Sequence, residues 1–193
     1  MVRCSKVPSR VAFFSCTVAL GKILTISNLW KRCMLILDWC CTCKKCGETV
    51  DHLLLHCPIT LELWNIVFCL FGLRWVMPMI VVHMFLFAAW QGSFGKHRNI
   101  SFWKVVPHCI IWYLWQERNS RSFEGCDRNI LEIKVYFLRT LMDWSAAIFS
   151  PLVFLSYTCL IIVFLLDCTS LLVHSWCTGF VYLCSLESKK RWC

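Results

Sequence analysis

Glycine and proline are scarce in this chain. Its 193 residues include 7 Gly and 5 Pro, which excludes a collagen-like repeat and Pro/Gly-rich low-complexity sequence. Charged residues make up 16%, where a soluble domain usually has about 25%, and hydrophobic residues reach 59%. This composition argues against a disordered tail and against a fully soluble, well-charged globule.

Catalytic motifs are also missing from the sequence. There is no G-x-S-x-G nucleophile elbow, no glycine-rich phosphate loop and no H-E-x-x-H metalloprotease motif. His108 and Cys109 are adjacent, but neighbouring residues on a helix do not face each other and cannot act as a base and nucleophile. We therefore expect no enzymatic activity and no small-molecule substrate.

Charge is distributed unevenly along the chain, whose formal net charge is +9. Residues 1–144 carry 17 Lys/Arg and 9 Asp/Glu, whereas residues 145–193 carry only 3 and 2. A basic start before an apolar run at residues 11–21 resembles a signal peptide. The clustering of the cysteines argues against secretion, so we interpret this run as a helix of the domain and expect an intracellular protein.

The C-terminal part is a hydrophobic tail. Residues 145–166 hold no charged residue and are long enough to cross a bilayer, which needs about 20 apolar residues in a helix. A second, weaker uncharged run covers residues 168–186, and basic residues flank both sides. We predict a transmembrane helix or hairpin in the tail at 145–186, which contacts the membrane through residues 146–166, and a basic end at 187–193. A buried segment and a tail without a defined fold are the alternatives.

Apolar spacing predicts a mainly α-helical fold before the tail. Helical or apolar segments separated by short breaks are expected at residues 11–20, 28–32, 61–70, 79–90, 109–118 and 128–149. Gln91 to Ile100 is polar and contains glycine, which is typical of a loop.

Cysteine and histidine are concentrated between Trp39 and Pro58. Cys40 and Cys43 form a C-x2-C pair, and His52 and Cys57 follow at close range. Three thiolates and one imidazole make a closed tetrahedral set that suits structural Zn²⁺. Soft sulfur ligands disfavour magnesium and calcium.

Other ligand sets are open within the same segment. His56 lies four residues after His52 and would give a Cys2His2 site, and Cys41 or Cys46 offers a spare thiol. Free buried cysteines in a cysteine-rich chain are the alternative to any metal. We expect Thr49 or Asp51 to cap a short helix that carries His52, and Pro58 to end it. Lys44 and Lys45 are expected to lower the pKa of the neighbouring thiols.

These residues resemble the reverse-transcriptase zinc-binding family of plant LINE-like (non-LTR) retrotransposons. The family pattern has T-x-x-x-L-x-x-R, then C-x2-C, E-T-x-x-H-L-x-x-x-C and L-W. The matching residues here are Thr25, Leu29, Arg32, Cys40, Cys43, Glu48, Thr49, His52, Leu53, Cys57, Leu63 and Trp64. Three later stretches, at 71–78, 102–112 and 115–124, also look like plant retroelement sequence.

The resemblance implies Cys40, Cys43, His52 and Cys57 as the ligands of one structural Zn²⁺. It implies a zinc-binding domain at residues 7–75 and a helical region at 76–144. The chain lacks an adjacent Asp-Asp pair, so we expect a fragment of a degenerate element without polymerase activity. Cys16 replaces a tryptophan of the family's first helix, which predicts a loss of core packing of about 3–5 kcal/mol.

The expected partner of such a module is RNA or DNA, bound without sequence specificity. Basic side chains gain affinity by releasing phosphate counterions, and exposed tryptophans stack on unpaired bases. The candidate contact residues are Lys44, Lys45, Lys31, Arg32 and Trp39. A small membrane-anchored protein without catalytic function and a non-functional retroelement remnant are the competing interpretations. Without a membrane-inserted tail, we expect the protein in the nucleus or cytoplasm.

Overall fold

The computed structural model describes residues 7–71, 76–90 and 103–148. The predicted loop at 91–100 and the predicted membrane segment, apart from its first residues, lie outside these ranges and stay predictions. No helix within the described ranges is both long and apolar enough to cross a bilayer.

The described residues form helices joined by turns and irregular segments, with no strand among them. This confirms the predicted mainly α fold. In chain order the elements are α1 (Ser9–Ala19), α2 (Ile26–Trp30), a π turn (His52–His56), α3 (Pro58–Leu70), α4 (Val81–Trp90), α5 (Val106–Phe123) and α6 (Ile130–Ile148).

The short helix ends just before Pro58, as predicted: its last residue is His56, and Cys57 leaves the helical conformation with φ −59° and ψ 134°. Pro58 also begins the next helix, which was not predicted. Cys57 is the N-cap residue of α3 and Pro58 is its first residue. Proline suits this position because its missing N–H has no partner in the first turn anyway and its fixed φ is already helical. The π turn and α3 are therefore consecutive, and Cys57 stands at the junction.

Two side chains cap helices near the metal-ligand candidates. The hydroxyl Oγ1 of Thr49 accepts a hydrogen bond from the backbone N–H of His52 at 3.0 Å, which confirms Thr49 as the cap of the predicted short helix. The carboxylate of Asp51 accepts from the N–H of Val81 at 2.8 Å, the first residue of α4. Each cap satisfies a donor that the helix itself leaves without a partner.

The hydrophobic core lies between the π turn, α3, α5 and α6. Its fully buried side chains include Leu53, Leu54, Leu55, Leu63, Trp64, Ile110, Ile111, Leu114, Ile133, Phe137 and Leu138. Burial of each such side chain contributes roughly 1.5–3 kcal/mol. The same cluster extends from α1 to α6, so the regions predicted at 7–75 and 76–144 share one core.

Helix α1 joins this core through Phe14. Its ring lies 5.3 Å from that of Trp112 and 5.5 Å from that of Trp115, measured between centroids. Cys16, which takes the place of a family tryptophan, is exposed. The predicted loss of core packing at this position was therefore wrong, because the side chain points to the surface.

Candidate metal centre

Four side chains converge where the C-x2-C turn meets the π turn. The Sγ atoms of Cys40, Cys43 and Cys57 and a ring nitrogen of His52 all lie within 4.8 Å of one another. Cys40 and Cys57 are fully buried, and Cys43 and His52 are half-buried. These are the four residues that the sequence predicted as a set.

The first two thiols are brought together by a tight backbone turn. The N–H of Lys44 donates to the carbonyl of Cys40 at 2.8 Å, and the N–H of Cys40 donates to the carbonyl of Cys46 at 2.5 Å. Lys44 has φ +55°, in the left-handed region that a non-glycine residue adopts at some cost. This closed loop, residues 40–46, is called the knuckle below.

The other two ligand candidates are five residues apart, and the π turn places them together. In an α-helix, residues five apart point about 140° away from each other. The N–H of Cys57 donates to the carbonyl of His52 at 2.7 Å, an i→i+5 bond that widens the turn. The widened turn lets His52 and Cys57 face the knuckle while Leu53, Leu54 and Leu55 are buried in the core.

A hydrogen bond between two of the sulfurs shifts their pKa values in opposite directions. The thiol of Cys40 donates to the sulfur of Cys57, which raises the pKa of Cys40 and lowers that of Cys57. Burial also raises the pKa of Cys40, and backbone N–H groups of the knuckle lower it. The N–H groups of Ile59 and Thr60 point at Cys57 and lower its pKa further, as expected at a helix N-terminus.

The surroundings of His52 favour the neutral form of its imidazole by lowering its pKa. Burial lowers its pKa, nearby His56 lowers it further, and Glu48 acts in the opposite direction. A neutral ring keeps a nitrogen lone pair free for a metal. One ring nitrogen, Nε2, lies 3.4 Å from the sulfur of Cys43.

The donor set fits Zn²⁺ in chemistry and in size. With Zn–S bonds of about 2.3 Å and Zn–N bonds of about 2.0–2.1 Å, a tetrahedral site separates its ligand atoms by about 3.5–3.8 Å. The distance of 3.4 Å between Cys43 and His52 already matches this. The ligand atoms that are farthest apart, up to 4.8 Å, exceed the tetrahedral separation by about 1 Å.

The alternative ligands are directed elsewhere. Nε2 of His56 lies 3.0 Å from the carbonyl of Met79, and the thiol of Cys41 donates to Glu48 at 3.4 Å. Cys46 is exposed and contributes its backbone carbonyl to the knuckle. None of the three belongs to the group of four.

A buried ion pair connects the site to α5. Oε1 of Glu48 accepts from Nε of Arg118 at 3.1 Å and from Nη2 at 3.0 Å, and Glu48 and Arg118 are only 0% and 5% exposed. The same oxygen accepts from the N–H of Ile26 at 3.2 Å. Sequence reasoning placed Glu48 in the family motif but gave no signal for Arg118, which is far away in the chain.

A second group of charged side chains connects the knuckle to the segment after α5 through hydrogen bonds and ion pairs. Arg121 donates to Glu117 at 2.9 Å, to Asp127 at 2.6 Å and to the carbonyl of Thr42 in the knuckle at 3.4 Å. Lys44 donates to Asp127 at 2.6 Å. These two cations hold the pKa of the Asp127 carboxyl below its usual range, with Lys44 the larger cause.

The five predicted nucleic-acid contact residues are all exposed. Lys44 is engaged with Asp127, and Lys31 donates to the side-chain carbonyl of Asn28 at 3.0 Å. Trp39 is 51% exposed. The structure places these side chains on the surface around the knuckle and the end of α2.

Comparison with known families agrees with this site. Residues 1–64 match the family described as zinc-binding in reverse transcriptase. This match identifies residues 1–64 as a reverse-transcriptase zinc-binding domain. The match contains all four clustered side chains and ends at Trp64, about a third of the way along the chain. The predicted retroelement resemblance of the later stretches stays a prediction.

No curated protein and no solved structure matches the chain.

Proposed function

We propose that the chain is a zinc-stabilised module derived from the reverse transcriptase of a plant LINE-like retrotransposon. In this proposal Cys40, Cys43, His52 and Cys57 hold one structural Zn²⁺. The module contacts RNA or DNA without sequence specificity and has no polymerase activity. The observation that carries the proposal is the convergence of four soft donors within 4.8 Å inside the family segment.

A structural role for the metal follows from the ligand set. Four protein donors fill all positions of a tetrahedral zinc, so none is left for a reactive water. When bound, zinc supplies charge that keeps the thiols deprotonated. The chain's own residues do the rest: Thr49 fixes His52, and the start of α3 stabilises the Cys57 sulfur.

Metal binding and local folding are coupled in this proposal. Residues 31–39, which lead into the knuckle, are exposed throughout and bury little apolar surface. A segment of this kind gains little from the hydrophobic effect. Zinc therefore supplies much of the free energy that orders residues 31–47.

The zinc assignment is tested by native mass spectrometry of the full chain purified in a non-ionic detergent. We expect one zinc per chain, lost in His52→Ala and kept in His56→Ala. A second matched pair is Cys43→Ser, which loses zinc, and Cys46→Ser, which keeps it. A folded wild-type chain without zinc, or equal loss within either pair, would contradict the ligand set.

Support for nucleic-acid contact comes from the exposed cations around the site. Lys31, Arg32, Lys44 and Lys45 are exposed and lie on or near the knuckle. Each phosphate that such cations neutralise releases counterions and makes affinity fall steeply with salt. Binding of labelled RNA and DNA across a salt series tests this part, and affinity independent of salt would contradict it.

Membrane attachment through residues 146–166 is a second proposal, supported by the uncharged run in the sequence. A spanning helix resists extraction by salt or alkali and is released by detergent. Release of the full chain from cell membranes by alkaline carbonate alone would contradict it.

A further inference from the structure

A groove runs between the knuckle and the C-terminal end of α5. Its volume is about 570 Å³. One wall comes from residues 26–44 and the other from residues 118–127. The groove therefore combines the family segment with a part of the chain that lies outside the family match.

Two aromatic side chains line this groove and are open to solvent. Trp39, from the knuckle side, is 51% exposed, and Phe123, at the end of α5, is 77% exposed. The guanidinium of Arg118 lies 5.8 Å from the centre of the Phe123 ring. Arg118 is itself buried and held by Glu48, so the Phe123 ring rests on a fixed cation and presents a preorganised stacking surface.

The charge around the groove is complementary to phosphate. Lys44 lines it, Lys45 follows in the knuckle, and Lys31 and Arg32 follow α2, whose Leu29 also lines it. The exposed acids in the same region are Asp38, Glu124 and Asp127. Four exposed cations against three exposed acids leave a rim with a net positive charge next to two aromatic surfaces.

We propose that this groove binds an unpaired base of single-stranded RNA or DNA. The base stacks on Phe123 and Trp39, and the flanking phosphates contact Lys31, Arg32 and Lys45. This groove proposal rests on the proposed nucleic-acid contact. It restricts the partner to single strands, because bases in a duplex are already stacked and offer no free face to an aromatic ring.

The test compares single-stranded and duplex probes. Fluorescence anisotropy measures binding of the zinc-loaded full chain to a labelled 20-nucleotide oligothymidylate and to a 20-base-pair duplex. Phe123→Ala is compared with Phe13→Ala, because Phe13 is 73% exposed on α1 and does not line the groove. We expect Phe123→Ala to weaken single-strand binding about tenfold and Phe13→Ala to leave it unchanged.

The salt dependence separates stacking from phosphate contact. Phe123→Ala keeps the slope of log affinity against log salt, whereas Lys45→Ala reduces that slope by about one. Zinc content and far-UV circular dichroism check that each variant is folded. Phe123→Leu, which keeps apolar volume but removes the ring, repeats the measurement should the alanine variant lose its zinc.

The outcomes distinguish the two proposals. Equal affinity for both probes, or equal losses in Phe123→Ala and Phe13→Ala, overturns the groove proposal and leaves the wider nucleic-acid contact standing. Failure to bind either probe overturns both. A change in oligomeric state on sedimentation of Phe123→Ala, with single-strand affinity retained, assigns the groove to protein association and also overturns the proposal.

Discussion

Glu48 and Arg118, which are 70 residues apart in sequence, form an ion pair in the interior, in which Nε and Nη2 of Arg118 both donate to Oε1 of Glu48, at 3.1 Å and 3.0 Å. In the sequence, Glu48 lies after the first two ligand candidates and before the other two. Arg118 lies on α5. The guanidinium also lies 5.2 Å from the ring of Trp115. The loop that carries the ligand candidates is thus anchored to a helix outside the family match.

Breaking this pair is expected to destabilise the fold strongly. Removing one partner leaves an uncompensated buried charge, which typically costs 3–5 kcal/mol. We expect Arg118→Met to lower the free energy of unfolding by about 3 kcal/mol, measured by urea denaturation of the zinc-loaded chain.

A double variant supplies the control for this prediction. Glu48→Gln with Arg118→Met removes both charges, so its loss is expected to be well below the sum of the single losses. Additive losses, or a loss below about 1 kcal/mol as for a surface pair, would contradict the assigned role of the ion pair.

The family segment alone is expected to fold poorly. In the whole chain Leu63 and Trp64 of α3 are fully buried in a cluster that includes Ile110 and Phe137, so residues 1–64 alone would expose them. We expect a 1–64 peptide to bind zinc without fixed tertiary structure, and a 1–148 chain to show dispersed amide resonances in NMR spectra. Equal dispersion in both would show that the family segment folds independently.

The Thr49 cap is expected to contribute measurable stability. Thr49→Ala removes the acceptor for the N–H of His52, which costs typically about 1 kcal/mol. The matched control is Thr140→Ala, because Thr140 donates only to the carbonyl of Tyr136 one turn earlier in α6. Thermal unfolding of the two variants checks this, and a larger loss for Thr140→Ala would count against it.

His108 makes the fold sensitive to acid. Burial lowers its pKa from 6.5 to about 4, and its Nδ1 lies 2.7 Å from the hydroxyl of Ser15. Between these two pKa values the unfolded chain binds more protons, so stability falls as the pH drops from 6.5 towards 4. We expect a loss of about 2 kcal/mol between pH 7.5 and pH 5.

His108→Gln isolates this contribution from acid release of zinc. Both proteins lose zinc in the same way, so the difference between their unfolding free energies reports His108 alone. We expect this difference to change with pH over the stated window. A difference that is constant from pH 7.5 to pH 5 would refute the assignment to His108.

The sequence predicted correctly those features that depend on the spacing of residues close together in the chain. Apolar spacing predicted most helices close to their observed bounds, and the C-x2-C pair with His52 and Cys57 predicted the four side chains that converge. Whether they hold zinc stays a prediction.

Long-range pairing and unusual helix geometry were not predictable in the same way. The partner of Glu48 depends on how α5 crosses the knuckle, which no local spacing reveals. The start of α3 at Pro58 was not predicted, because proline both ends helices and suits their first turn. A π turn between His52 and Cys57 has no recognised sequence signal here, although their five-residue separation is incompatible with a shared face in an α-helix.

Because of the π turn, the fold depends more on the number of residues between His52 and Cys57 than on the identity of their side chains. The same five-residue step sets which atoms face the knuckle and which leucines enter the core. Conservative changes such as Leu54→Met keep the backbone register and cost little. Insertion or deletion of one residue rotates both sets together, so a single codon gained or lost here would disable the metal ligands and the core in one step.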